Sequence, residues 1–427
     1  MSSICARPAN DLPDRRRGDH YAAPMLGPDA PAPPDQSEIE PISPPPLAVL
    51  VLSTAISTLA LHTVLPALPE MATVFDIPSG DIGFVVTAYL AGLAAAQLIV
   101  GPLSDRFGRR PILIGGIALY LVMTILCMAA PTAGWLFAAR ALQAFGGCAG
   151  MVLGRTIIRD CYPRERAASG MGYLSVALAT GSMMAPGIGA FIVAYVGWRG
   201  AFIALAVIGM ASLASTWRYM PETNQAKIDR LDLSILVLNY RWLLRSRTFL
   251  MYSGAVSFQL ASWFAFVTIM PAALVTVFHQ PATAYGLWVF LPMTGYVVGN
   301  GIVGRLSVRV GGQRLIQLGC AISALGAAAM IAGAAGLVPG PLAFFGPMAI
   351  IVIGNGLISP NANVAAISVN PAIMGAASGL LGFFLWTISV ASTAAVSLAG
   401  AANLTVLAAV VVAGNVAGIL LLLFAPR

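Results

Sequence analysis

From Pro46 onward the chain alternates long apolar stretches with short polar interruptions. The apolar stretches run approximately over 47–70, 82–103, 111–131, 134–158, 168–194, 200–219, 249–270, 284–304, 314–336, 341–360, 373–397 and 402–425. Each is close to the roughly 20 residues a helix needs to cross hydrocarbon. Twelve crossings place both termini on one side. The longest polar interruption, 221–248, carries Lys227, Arg230, Arg241, Arg245 and Arg247 and separates six spans from six. The pattern therefore predicts an all-α membrane protein, with one six-helix half over 46–220, a linker over 221–248 and a second half over 249–427. Residues 1–45, with PAPP and PISPP and little apolar patterning, read as a disordered tail. Arg15, Arg16 and Arg17 imitate the start of a signal peptide, but the many later spans argue against secretion of a soluble domain.

A duplicated turn strengthens the two-half reading. GPLSDRFGRR, Gly101 to Arg110, follows the second apolar stretch, and GRLSVRVGGQR, Gly304 to Arg314, follows the second stretch of the other half. Gly101 and Gly108 permit close backbone approach and a tight turn. Asp105 can accept from backbone N–H groups or an arginine, and Arg106 and Arg109 can meet helix C-terminal carbonyls. Such contacts would hold one end of the bundle shut. A solvated basic turn is the plainer alternative and explains the arginines without the rest of the pattern. In the second copy, with Arg309, Val308 stands where Asp105 stands in the first, so the clamp is expected to be asymmetric.

Composition agrees with a membrane setting. Hydrophobic residues make up 58% and charged residues 9%, and the mean hydropathy is +0.85, too apolar for one soluble core to hide. The net charge of +7 would suggest nucleic acid in a soluble chain, but its distribution matters more here. With cytoplasmic termini, Arg106, Arg109, Arg110, Arg159, Arg164, Arg166, the linker cations, Arg305, Arg309 and Arg314 all fall in cytoplasmic turns, and Arg199 alone in an outer one. The positive-inside rule selects that topology. Cys5, Cys127, Cys148, Cys161 and Cys320 have neither metal-site nor disulfide-framework spacing, and most read as small core residues. His20, His62 and His279 lack metal-ligand spacing, and no phosphate loop or compact nucleophile, base and acid set occurs. No cofactor, metal or nucleic-acid partner is expected.

Several stretches carry a family likeness. AGLAAAQLIVGPLSDRFGRRP (Ala91 to Pro111), VLPALPEMA (Val64 to Ala72) and RALQAFGGCAG followed by RTIIRD (Arg140 to Asp160) resemble the major facilitator superfamily. More narrowly, they resemble the bacterial drug:proton antiporters related to bicyclomycin and chloramphenicol resistance proteins. The likeness extends from about residue 47 to the C-terminus and is less distinctive in the second half. It implies two six-helix halves in the bacterial inner membrane, working as a monomer and exporting small amphipathic compounds while protons move inward. GYLSVALATGSMMAPGIGA, Gly172 to Ala190, resembles the family's antiporter signature, with Gly181, Pro186 and Gly189 at a rocking interface. Tight helix packing alone also accounts for those residues.

Proton coupling is where this chain departs from its likeness. The related antiporters commonly carry a carboxylate just before the LPALP stretch, and the matching residue here is His62. No Asp or Glu lies near the middle of any span and none follows Asp232, which argues against a relay built on a deeply buried carboxylate. An imidazole titrates near physiological pH, so His62 is a coupling candidate beside the alternative of a packing histidine. Glu70 and Asp81, around the first outer turn, are further candidates. Arg140 lies about two turns inside the fourth span with Gln143 close to its face. The likeness assigns that pair to coupling or polar-substrate contact, against a structural bond to helix-end carbonyls. Arg155, Arg159 and Asp160 lie nearer the cytoplasmic edge and are expected to support closure with the Gly101 turn.

Tyr89, Gln97, Gln143, Gln259, Trp263, Asn300, Asn355 and Trp386, with Asn361 and Asn363, punctuate apolar helices and are candidates to line a substrate path. Interhelical hydrogen bonds account for any one of them equally well. A carrier for a small organic anion, an intramembrane enzyme and a non-transporting sensor are the other readings.

Overall fold

In the computed structural model, residues 44–78, 80–161, 164–224, 233–370, 373–400 and 403–425 are described. The side chains of Arg159, Val308 and much of the stretch before residue 180 lie outside that description, as do the proposed disordered tail up to residue 43 and linker residues 225–232. Every regular element is a helix: α1 Leu47–Val64, α2 Leu68–Val74, α3 Phe84–Phe107, α4 Arg109–Met128, α5 Ala133–Cys161, α6 Arg164–Val196, α7 Trp198–Tyr219, α8 Leu233–Leu243, α9 Arg247–Thr276, α10 Ala284–Trp288, α11 Phe290–Val310, α12 Gly312–Ala334, α13 Leu342–Ile367, α14 Met374–Ala399 and α15 Leu404–Leu423, with two short 3₁₀ turns. The chain is an all-α membrane protein. Among the described residues eleven helices or helix pairs are long and apolar enough to cross a bilayer, and the described apolar part of α6, Thr180–Val196, is shorter.

The expected spans overlap these helices, because bilayer thickness and backbone hydrogen bonding leave an apolar stretch one regular conformation, although the ends expected at 270, 304 and 360 fall six or seven residues short of Thr276, Val310 and Ile367. α1 and α2 form one span joined through the 3₁₀ turn Leu65–Ala67. Pro66 and Pro69 each remove a backbone donor there, so the helix tightens and bends without stopping. α13 likewise runs through Pro347 and Pro360. One element has no counterpart in the sequence reading: α8, a short helix inside the segment taken as linker.

Small residues let the helices approach closely. A side chain at Gly150 of α5 would collide with the Ser53 carbonyl of α1, and one at Gly319 of α12 would meet the Gly354 carbonyl of α13. Such contacts matter in a bilayer, where close van der Waals packing rather than water exclusion holds helices together. α3 packs on both α5 and α14, α1 on α5, α6 and α7, and α9 on α14 and α15. The α3–α14 seam is continuous. Gly80 lies against Ser397 and Gly400, the Thr87 hydroxyl donates to Thr393 at 2.9 Å, and the Gln97 amide lies against Gly382. Cys127, Cys148 and Cys320 are buried free thiols and Cys161 is half-buried.

Candidate functional site

The first copy of the duplicated turn is built around Arg109. Gly108 has φ +102°, a conformation glycine adopts without strain, and reverses the chain from α3 to α4 in one residue. The buried Arg109 guanidinium then donates to Asp105, to Ser104 Oγ at 2.5 Å and to Asp160 Oδ2 of α5 at 3.3 Å. Two residues just beyond α7 complete the arrangement. Glu222 Oε1 accepts from the backbone N–H groups of Arg109 at 2.8 Å and of Thr223 and Asn224 at 3.0 Å, placing a carboxylate at the positive end of α4. Asn224 donates to the carbonyls of Asp105 at 2.9 Å and Ser104 at 3.3 Å, satisfying the end of α3.

Sequence reasoning missed Glu222 and Asn224 because they sit in the segment assigned to the linker. The available signal was an acid directly after the sixth span on an otherwise basic face. Three expectations for this turn need correction. Gly101 has no atom within 4 Å of the place a Cβ would take, so close approach there is not its role. Among the described residues Arg106 donates to no helix carbonyl, and it lies over the Phe107 ring, 4.9 Å from its centroid. Nor does Arg109 reach the carbonyls that Asn224 occupies. In the second copy Gly311 keeps the positive φ, +86°, and the Asn361 amide oxygen stands against Gly312 where Glu222 stands against Gly108. Arg309 is exposed and has no salt-bridge partner among the described residues.

Deeper in the same half lies a buried cation. Arg140 of α5 is fully buried. Its Nη1 donates to Gln143 Oε1 at 2.6 Å, Gln143 Nε2 donates to Thr124 Oγ1 of α4 at 2.7 Å, and Thr124 donates to the Tyr120 carbonyl at 2.6 Å. The guanidinium carbon lies 4.0 Å from the Tyr89 ring centroid, and the Tyr89 hydroxyl donates to the Ser57 carbonyl of α1 at 2.8 Å. Four helices thus converge on one charge through neutral partners. Among the described residues no carboxylate pairs with it, and Nε and Nη2 are buried without an acceptor. The alternative of bonds to helix-end carbonyls is not what the structure contains.

His62 is buried near the end of α1, with Nδ1 2.9 Å from the Thr58 carbonyl. A carbonyl oxygen only accepts, so Nδ1 carries the hydrogen, and in the neutral ring Nε2 would hold the lone pair. Glu70 lies against Gly197 and Arg199 at the N-terminus of α7, and Asp81 opens the 3₁₀ turn before α3. Neither is near Arg140 in the hydrogen-bond pattern. In α6, a side chain at Gly189 would strike the Thr63 carbonyl, Pro186 is buried, and Gly181 has only ordinary space toward Leu59.

The remaining candidates do not gather into one site. Asn355 accepts from Ser323 and ties α13 to α12. Asn300 and Asn361 donate to carbonyls four residues earlier. Gln259 is buried with both amide atoms unpaired, Trp386 Nε1 and Asn363 Oδ1 are also buried and unpaired, and Trp263 stacks near Phe266. Gln97 contacts Met151 Sδ at 3.9 Å. An apolar crevice of about 590 Å³ opens between α6 and α10–α11, lined by Met184, Phe191, Tyr195, Leu287 and Phe290 among others, and none of these candidates lines it.

The family model described as Major Facilitator Superfamily matches residues 50–394. The chain is similar to the bicyclomycin resistance protein homolog of Haemophilus influenzae, 28% identical over 324 residues that cover 74% of this chain and 80% of that one. It is 29% identical to the chloramphenicol resistance protein of Pseudomonas aeruginosa over 309 residues, covering 72% and 73%. A crystal structure of a D-xylose–proton symporter superposes with a TM-score of 0.74 at 15% identity, covering 89% of this chain and 96% of that one, a likeness of fold.

Proposed function

From the premise that the chain belongs to the Major Facilitator Superfamily, we propose that it is a secondary active exporter of small amphipathic compounds, coupled to inward proton movement through alternating access. It is a secondary transporter of small molecules and not an enzyme. The proposal extends to twelve crossings in two six-helix halves, 46–220 and 249–427, joined by a cytoplasmic linker. Both termini would lie in the cytoplasm of a bacterial cell, and the monomer would suffice for transport.

The observation that carries the reading is the buried Arg140, held by Gln143, Tyr89 and, through them, by α1, α3 and α4. A buried ion in a membrane bundle is costly and is kept where it serves a path or a relay. Its ring partner Tyr89, on the helix that leads into the Gly101 turn, donates to the Ser57 carbonyl of the helix that bears His62, so the proposed coupling would pass along this contact chain. His62, with Nε2 free to take a proton, is the proposed coupling group, and the Arg109 cluster with Asp105, Asp160 and Glu222 is the proposed cytoplasmic latch. Outward direction rests on the likeness to resistance proteins.

The test uses oriented proteoliposomes with an imposed pH gradient, labelled amphipathic drugs and organic anions, and His62→Ala beside the unaltered chain. Drug movement against the proton gradient, lost in the variant while binding persists, is expected. Gradient-independent movement would sink the coupling. The lack of a carboxylate partner for Arg140 among the described residues favours a second reading, a carrier for small organic anions, and uptake of anions in the same assay would select it.

A further inference from the structure

α8 lies outside the membrane-spanning helices, and its two faces differ. Tyr240 and Leu243, three residues apart, turn toward the protein. Leu243 is fully buried in a cluster with Phe249 of α9 and Leu380 of α14, and the Tyr240 ring packs on the same cluster. The Tyr240 hydroxyl stands 3.7 Å from the place a Cβ at Gly379 of α14 would take, and the Gln97 carbonyl of α3 stands 3.5 Å from it. α8 is therefore docked beside the α3–α14 seam. Its other face is neither covered nor wholly polar. Val237, Leu238 and Leu244 are exposed, and so are Arg241 and Arg245, which continue the same stripe at helical spacing. Apolar side chains interleaved with arginines on one stripe suit a helix lying in a bilayer interface, where the apolar groups dip toward the acyl region and the guanidinium groups reach headgroups.

The connection to α9 puts that stripe at the membrane surface. A short turn follows α8, in which Leu244 donates its N–H to the Tyr240 carbonyl at 2.9 Å and Arg245 donates to the Trp242 carbonyl at 3.1 Å. α9 then begins its apolar crossing at Arg247. Arg245 and the exposed Arg247 flank the N-terminus of α9, whose first turn carries no acid. Cations there oppose the positive end of the helix, so an anion is the complement the arrangement favours. Among the described residues none of Arg241, Arg245 and Arg247 forms a salt bridge. Asp229 and Asp232 precede α8 in the chain, and no Asp or Glu follows it.

We propose that α8 is an interfacial anchor that binds anionic phospholipid of the adjoining leaflet, with Val237, Leu238 and Leu244 at the acyl boundary and Arg241 and Arg245 on headgroup phosphates. The proposal requires only that α9 spans the bilayer, and it holds for export and uptake alike. Two arginines at a headgroup layer enrich anionic over zwitterionic lipid by a factor on the order of ten, and salt screens the effect. Because Tyr240 meets α14 where α3 also arrives, a lipid that holds α8 also steadies the edge of that seam.

The test places the full-length protein in phosphatidylcholine nanodiscs, with an environment-sensitive NBD label at Leu238→Cys and the native cysteines changed to alanine. Phosphatidylglycerol or phosphatidylcholine carrying a doxyl quencher at the same acyl position is then added at equal low mole fraction. Quenching by the phosphatidylglycerol is expected to be at least about fivefold more efficient. Arg241→Gln with Arg245→Gln should bring the two lipids to parity, whereas the paired lysine variant should keep most of the preference, and about 0.5 M salt should diminish it. These arginines are exposed, so both variants should stay monodisperse on gel filtration. Quenching by neither lipid would put the stripe in water or under another protein surface and overturn the proposal. Equal quenching, or a preference that survives the glutamine pair, would overturn the headgroup assignment and with it the proposal. Loss of the preference in inorganic phosphate, but not in chloride of equal ionic strength, would assign the arginines to free phosphate and also overturn it. No transport is read, so either result leaves the export proposal standing.

Discussion

Removing the charge at Arg140 separates a functional buried ion from a structural one. Arg140 gains one charge-assisted hydrogen bond to Gln143, worth about 1.5–3 kcal/mol, and a ring contact with Tyr89 at 4.0 Å, worth about 1–2 kcal/mol. Against this stand two buried N–H groups without acceptors, at about 1–3 kcal/mol each, and desolvation of an ion that no carboxylate offsets, several kcal/mol more. The balance falls at or below zero. Arg140→Met alone would strand Gln143 Oε1, so the informative chain is Arg140→Met with Gln143→Leu, which replaces both partners by apolar groups of similar length. We expect this double variant to be as stable as the unaltered chain or more so, by up to about 2 kcal/mol. Guanidinium unfolding in maltoside detergent, followed by circular dichroism, measures this, and the two single variants complete a double-mutant cycle. Gradient-driven transport in proteoliposomes should be lost. A double variant destabilised by more than about 3 kcal/mol would mean that the arginine is kept for structure, and the functional argument from its burial would fall.

The glycines give a paired prediction. Gly150→Val should disrupt the bundle, losing monodispersity on gel filtration, because its side chain meets the Ser53 carbonyl, whereas Gly101→Ala should be stable and gain about 0.5–1 kcal/mol from helix propensity. Glu222→Ala should weaken the latch by about 2–4 kcal/mol through the lost hydrogen bonds to Arg109, Thr223 and Asn224, read as faster labelling of a cysteine placed at Ser104. Unchanged labelling would remove Glu222 from the gate. Cys161 lies beyond the membrane-spanning part of α5, and burial, with the Asp160 charge behind it, pushes its thiol up to about 11 from an ordinary 9.0. A raised thiol pKa leaves less thiolate at neutral pH, so maleimide should react about a hundredfold more slowly than with a free thiol at pH 7.5, and the rate should climb with pH through 10. A rate that levels off below pH 9 would contradict that environment.

The legibility of this protein follows the range of the forces involved. Bilayer thickness acts on each apolar stretch separately, so the spans were readable from Pro46 onward, and so was the tight turn at Gly108, whereas the positive φ there and at Gly311 came only from the structure. The charge pattern around the turns, and the absence of any acid after Asp232, are likewise properties of the chain alone. Arg140 and Gln143 were recognisable as a pair because residues three apart on one helix share a face. Which groups answered them was not. Tyr89, Thr124 and Ser57 come from three other helices, and only packing decides that a ring and a hydroxyl, rather than helix-end carbonyls, meet the guanidinium.

The same holds for the latch. Glu222 reaches Arg109 across 113 positions of sequence, and its place directly after the sixth span becomes a contact only when α4 and α7 are brought side by side. The sequence by itself determined the membrane architecture, the sites of the two tight turns and the inventory of charges, because hydrophobicity, backbone geometry and titratable groups belong to individual residues and short segments. The tertiary structure alone decided that Arg109 meets Asp105, Asp160 and the Glu222-bound turn while Arg140 meets only neutral partners among the described residues, because electrostatic pairing falls off over a few ångströms and depends on how helices distant in sequence pack together.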